Sequence, residues 1–318
     1  MKKFFNEYGG IAIIVIVIAV LLLLVGSVKS LDEATGKVNG SGIASMVGNK
    51  LSGSIGKFKT SFDNILSCSS ESSNSPAGPV VSKTDSQVGK YADIDGDGTV
   101  DGIIFADLMV GGSGTWNDYN TANTTYNDRG TYTIPTISSC KDYYVSQDAY
   151  TNVLGGTAEV LSPADSGNSR FYIVALNDIH SNSHDWYNAA YSKGMNDFAS
   201  STIQNFGKGK SNTATMVNKW NSESYGNKNA CSKHTDMWGE IQTQVNNGWF
   251  VPSRQELAAF AGQLGITKSN YSSKGLSGWY WSSSQSDAYS AYILNLTFGY
   301  VHDKNVTHNS AVRLVTTF

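Results

Sequence analysis

Charge is scarce in this sequence. Lys and Arg number 23 against 26 Asp and Glu, only 15% of the 318 residues are charged, and the formal net charge is −3. No large basic field exists to neutralise a phosphate backbone, which argues against nucleic acid as a partner. Cysteine is scarcer: the chain has three, Cys68, Cys140 and Cys231. So few thiols exclude a disulfide framework, and an odd count leaves at least one unpaired, with Cys140 and Cys231 as a candidate pair. Cys68 follows Ile65-Leu66-Ser67 in outward imitation of a lipidation site, yet lies about forty residues beyond the apolar segment and reads as a linker thiol. Also missing are a Cys-His pair, a nucleophile elbow, a phosphate-binding Gly loop and an HExxH motif, so nothing argues for an enzyme.

Apolar residues, by contrast, make up 40% of the chain, enough for a real core, and Gly, Ser, Asn and Tyr give a surface that is polar without being charged. Residues 9–28 carry no charge and include the unbroken run Ile11 to Val25, long enough at ~1.5 Å per residue to cross a ~30 Å bilayer core. They are read as a transmembrane helix. Lys2 and Lys3 precede it, which places residues 1–8 in the cytoplasm and the rest outside, as a single-pass protein of the cell membrane. A cleaved signal peptide would end in a small-x-small site, whereas this run ends Leu-Leu-Leu-Leu-Val-Gly-Ser-Val-Lys. A type IV pilin stem would carry an early acidic residue that is lacking here.

From Ile43 to Ile65 apolar residues recur at steps of three and four, so residues 29–66 are expected as an amphipathic helical stalk, used for self-association or laid on the membrane through Lys50, Lys57 and Lys59. Residues 67–86 are rich in Ser, with Pro76, Gly78 and Pro79, and read as a linker. Residues 87–318 mix short strand patterns with helical ones: one α+β domain.

Two segments of that domain suggest cation sites. Asp93, Asp95, Asp97, Thr99 and Asp101 place oxygens as in an EF-hand-like loop with Gly98 at the turn, which suits calcium; Ile104 stands where a bidentate Glu belongs, leaving a truncated loop or a plain Asp-Gly turn. His180 and His184, four apart beside Asp178 and Asp185, could share a helix face, but their surroundings read as a loop.

The C-terminal third is the most legible part. In Gly248-Trp249-Phe250-Val251-Pro252-Ser253-Arg254-Gln255-Glu256-Leu257, Ser253 is expected to cap a helix and Glu256 to return the bond, with Leu257, Phe260 and Leu264 buried. Strands are expected over 289–298 and 306–315, with 299–305 between them.

The order Trp249-x-x-Pro252-Ser253-x-x-Glu256-Leu257, then Tyr280-Trp281-Ser282-Ser283-Ser284, Phe298-Gly299-Tyr300-Val301 and Val312-Arg313-Leu314 resembles bacterial domains of the DUF1566 type. The resemblance implies a C-type-lectin-like head akin to the formylglycine-generating-enzyme module, of the kind used as variable proteins of diversity-generating retroelements. Cys140 and Cys231 fall outside the matching motifs, so the oxidase activity of that module is not carried over. Trp116-Asn117-Asp118 lacks the partner loop of calcium-dependent lectins and lies far ahead of the motif block.

Residues 286–311 hold 15 Ser, Thr, Asn, Asp, His or Tyr among 26. That mixture serves a solvated hairpin, and it is also the chemistry of paratopes. The expected ligand face is Asp287, Tyr289, Tyr292, Asn295, Tyr300, His302, Asp303, Asn305, His308 and Asn309. The expectation is therefore a surface-displayed adhesin or receptor-like protein for an extracellular protein or glycan. The alternatives are a structural envelope or minor-pilin-like subunit, and an exported enzyme using His180, His184 and Asp185.

Overall fold

The computed structural model describes residues 30–32, 37–39, 78–119, 124–180, 184–187, 200–222 and 236–318. The chain divides into two units, Met1–Ser75 and Pro76–Phe318. In the first, β1 (Ser30–Asp32) and β2 (Lys37–Asn39) pair antiparallel, Leu31 opposite Val38.

The second unit is built on a six-stranded sheet. Its strands are β3 (Tyr91–Ala92), β4 (Gly102–Asp107), β7 (Tyr143–Asn152), β8 (Gly156–Pro163), β9 (Phe171–Ala175) and β13 (Val315–Thr317), in the order β13-β9-β4-β3-β8-β7. All neighbours are antiparallel except β3 and β8. Between β4 and β7 in the chain come the hairpin β5 (Gly112–Thr115) and β6 (Thr131–Ile134), with helix α1 (Thr124–Gly130) in its connection. β4, Gly-Ile-Ile-Phe-Ala-Asp, is buried throughout because both faces of the sheet are covered: Ile103 and Phe105 enter one core cluster, Ile104 another.

Helices α2 (Gly209–Asn221), α3 (Met237–Glu240), α4 (Gln242–Asn246) and α5 (Arg254–Gln263) follow. Then comes a three-stranded sheet of β10 (Trp279–Gln285), β11 (Ser290–Asn295) and β12 (Tyr300–Asn305). α5 is buried on nearly every side: Leu257, Ala258, Ala259, Phe260 and Ala261 share one cluster with Phe105 of β4 and with Tyr280, Leu294 and Val301 of the small sheet. Alanines here let backbone layers approach closely around the helix. On the other face of the small sheet, Trp281 and Ile293 pack with Trp186, Met216 and Trp238.

These findings correct the expected fold class. The described residues are mostly β-sheet with few and short helices, not an α+β, C-type-lectin-like head behind a helical stalk, and no helix among them is long and apolar enough to cross a membrane. The transmembrane helix read at 9–28 and the periodic stretch 43–66 lie outside the described residues, and within 29–66 the described parts are the strands β1 and β2. The physical reason is composition: β7 (Tyr-Tyr-Val-Ser-Gln-Asp-Ala-Tyr-Thr-Asn) and β8 are long strands with many polar, half-exposed positions, so their period of two in hydrophobicity is weak in the sequence.

The end of the linker segment also packs on the sheet. Val81 N donates to Tyr143 O, Val145 N to Pro79 O, and Gln87 N to Asp107 Oδ2, so residues 79–87 form a strap along the edge strand β7. The strap is held by Arg170, which is buried. Its guanidinium makes a two-pronged ion pair with Asp107, 2.8 Å on each prong, and donates to Ser82 O and Asp85 O.

Candidate functional site

The motif segments recognised in the sequence meet in space. Ser253 caps α5 by accepting from Glu256 N, and Glu256 Oε2 accepts from Ser253 N at 2.6 Å, the reciprocal box expected. Glu256 is buried and also accepts from Gly207 N and Gly209 N; burial outweighs these donors and pushes its carboxyl up to about 7. Ser283 N donates to Pro252 O, Arg254 N to Ser284 Oγ, and Ser282 Oγ to Tyr292 O. Ser283 and Ser284 of β10 thus lock the small sheet to the start of α5, while Ser282 ties β10 to β11, and all three are buried.

On the small sheet a chain of aromatic rings runs outward from that anchorage. Trp281 lies 6.4 Å from His308, which stacks on Trp279 at 4.7 Å and 21°. Trp279 approaches His302 (5.8 Å), His302 approaches Tyr300 (5.0 Å), and Tyr300 stacks on Tyr126 of α1 at 4.2 Å and 14°. Tyr119 closes the chain edge-on to both tyrosines, and Phe298 sits between Trp279 and Tyr300. Tyr119 and Phe298 are about half exposed, at 50% and 49%. Beside Trp279 and His308 lies a cavity of about 270 Å³, lined also by Ser277, Gly278, Asn309, Ser310 and Ala311.

His302 is held neutral by its neighbours. Asn295 Oδ1 accepts from Phe298 N, which orients the amide so that Nδ2 faces His302 Nε2 at 3.3 Å; Nε2 accepts, and the ring proton belongs on Nδ1. Burial lowers the His302 pKa to about 4, and burial together with Lys304 also lowers that of His308.

The structure brings together five of the ten expected ligand residues at this aromatic end: Asn295, Tyr300, His302, His308 and Asn309. Asn295 is buried and serves the turn. Three others stand at the far end of the strands: Tyr289, 62% exposed, Asp287, which accepts from Tyr289 N, and Asn305, which accepts from Thr307. Ser290 pairs with Asn305 and Asn295 with Tyr300, so the two ends are separated by the length of the strands, roughly 16–17 Å. Tyr292 and Asp303 are paired on the face turned to the helices, where Arg254 lies over the Tyr292 ring and Arg129 pairs with Asp303 at 2.5 Å. The expected turn over 299–305 is in fact β12, and the reversal falls at 296–299, with Gly299 at φ +83°.

Tyr119, Tyr126 and Trp279 were not expected at the face. Trp279 adjoins the buried Tyr280-Trp281, and the two tyrosines arrive from the β5–β6 connection. The Trp116-Asn117-Asp118 segment, remote in sequence, carries them there: Asp118 N donates to Gly299 O at 2.7 Å, Asp118 Oδ2 accepts from Lys268 N, and Trp116 Nε1 donates to Ile266 O.

In the aspartate loop, Asp93, Asp95 and Asp101 bring their carboxylate oxygens within 4.8 Å of one another, and this group can hold a metal ion. Asp93 is buried; its oxygens accept from Gly96 N, Asp97 N, Gly98 N and Ser162 Oγ, so it also ties the loop. Asp97 and Thr99, the other expected ligands, are joined by Asp97 Oδ1 accepting from Thr99 N. Burial raises the Asp101 pKa, and the negative charges of Asp95, Asp93 and Asp97 add to it.

His180 and His184 do approach, ring centres 5.7 Å apart, but His184 and Asp185 are buried and His180 Nε2 lies 3.1 Å from Glu240. Asp178 is engaged by Arg313, Ser277 and Tyr280. Cys140 is a free, partly buried thiol, and Cys231 lies outside the described residues. The chain matches no protein-family model, and no curated protein is similar to it.

Proposed function

We propose that this chain is a binding protein whose ligand face is the aromatic end of the small sheet. One observation carries the reading: the continuous chain of rings from Trp281 to Tyr119, braced inside by the buried serines of β10 and ending in half-exposed Tyr119 and Phe298. Exposed aromatics on a rigid support mark interaction surfaces, since they bury large area at small entropic cost. Display at a membrane surface is supported by the sequence run of residues 11–25, and the binding reading does not depend on it. The far end, with Tyr289 and Asp287, is a turn and carries no comparable cluster among the described residues.

The test compares the two ends. Tyr119→Ser with Tyr300→Ser should abolish attachment of the labelled protein to intact cells with the melting temperature kept, whereas Tyr289→Ser with Asp287→Ser should leave attachment in place. The reverse pattern would move the face to the turn, and attachment surviving both pairs would end the proposal.

For the aspartate loop the ion is calcium: the donors are hard carboxylate oxygens with two glycines at positive φ, Gly96 and Gly98, shaping the turn. Its role is to clamp the loop between β3 and β4 rather than to touch the ligand face.

A further inference from the structure

The aromatic end has the chemistry of one ligand class, an inference that rests on the binding reading above. We infer that its ligand is a neutral saccharide, with one sugar unit in the cavity beside Trp279 and the next lying across Tyr300 and Tyr119. The cavity of about 270 Å³ has an aromatic wall in Trp279 and His308, and its other sides carry the polar residues Ser277, whose Oγ donates to Asp178, Asn309 and Ser310. A pyranose ring has the complementary make-up: C–H groups on its flat faces and hydroxyls around its rim. His308 Nδ1 lies 3.2 Å from Ser310 Oγ, so Nε2 is the ring nitrogen that would serve a ligand hydroxyl.

Charge argues the same way. The two cations beside the rings are already engaged, Arg129 by Asp303 and Lys304 over the Trp279 ring at 5.1 Å, and Asp118 accepts from a backbone amide. An anionic polymer would find only Lys304 without a carboxylate partner among these groups, one charge where a polyanion calls for several. A lipid chain fits less well, because Tyr119, half exposed at the end of the ring chain, carries a hydroxyl that burial under hydrocarbon would desolvate. The ring chain, bent from Trp279 through His302 to Tyr300, offers successive platforms, which suits an oligomer better than a single sugar.

The full-length protein is passed over immobilised amylose, β-1,3-glucan, mannan and chitin, and over a mannose-rich glycoprotein before and after periodate oxidation. Retention on at least one of these neutral glycans is expected, little changed between 0.05 and 0.5 M salt (on the order of a Debye-length change from ~14 to ~4 Å), with a change in Trp fluorescence on binding. Tyr119→Ala and Asn309→Ala, both at exposed positions, should each weaken it about tenfold, equivalent to ~1.4 kcal/mol. If no glycan retains the protein, and attachment to cells is lost in Tyr119→Ala yet survives periodate treatment of those cells, the face stands and its ligand is a protein; the saccharide inference is then overturned. If Tyr119→Ala changes neither attachment nor retention, the face itself fails.

Discussion

The backbone amide of Asp118 rests on the carbonyl of Gly299, 2.7 Å away, and this contact seats a remote loop on the turn between β11 and β12. Gly299 has φ +83°, and a Cβ there would lie 2.8 Å from the Asp118 carbonyl carbon. Gly299→Ala therefore meets both backbone strain and a steric clash. A loss of roughly 1–3 kcal/mol is expected in urea unfolding, together with weakened ligand attachment because Tyr119 is displaced. An unchanged urea midpoint would show that the loop yields without cost.

Arg170 and Asp107 form a buried pair in which removal of one partner strands the other. Arg170→Met should cost about 3–5 kcal/mol, whereas Arg170→Met combined with Asp107→Leu should cost less than either change alone predicts by addition. Recovery will be partial, since Asp107 also accepts from Gln87 N and Met109 N. A double-mutant cycle from denaturant midpoints checks this.

Millimolar calcium should raise the melting temperature, because an ion that binds only the folded loop stabilises it by mass action. Asp95→Asn should abolish the rise. Equal melting curves with calcium and with chelator would leave the aspartates as a turn alone.

Two buried groups give pH slopes of opposite sign. Glu256, pushed up to about 7, keeps in the folded state a proton that the unfolded chain loses near 4.5; its contribution is full below the unfolded value and disappears as pH rises through 7. His302, lowered to about 4, contributes fully above 6.5 and loses that contribution as pH falls towards 4. Acidification from pH 7 to 4 should therefore destabilise Glu256→Gln more than the parent protein and His302→Asn less. Parallel stability profiles for all three would refute the assignment.

Features set by neighbours in the chain were legible. The Ser253–Glu256 box spans three residues, so its pattern and its geometry are one fact, and the aspartate–glycine spacing likewise announced its loop. Features set by distant partners were not. Nothing near Tyr119 or Tyr126 marks them as companions of Tyr300, because the tie is the Asp118–Gly299 contact. Strand boundaries failed for another reason: Tyr-Val-His-Asp-Lys-Asn in β12 carries polar side chains on both faces, and a period of two in hydrophobicity vanishes when helix α1, its Arg129 and neighbouring aromatic rings cover those faces.

The strap of residues 79–87 also gives force a shared route into the second unit. A pull entering from residue 78 must travel along the strap before it reaches β3. There it meets the bonds of Pro79 and Val81 to β7, and then a single buried guanidinium that holds Ser82, Asp85 and Asp107 at once. Tension is thereby shared with β4, which carries Asp107, and with Arg170 at the start of β9, instead of peeling one strand from the sheet edge. A pull on the strap is therefore carried by β7, β4 and the start of β9 together, with Arg170 as their common link.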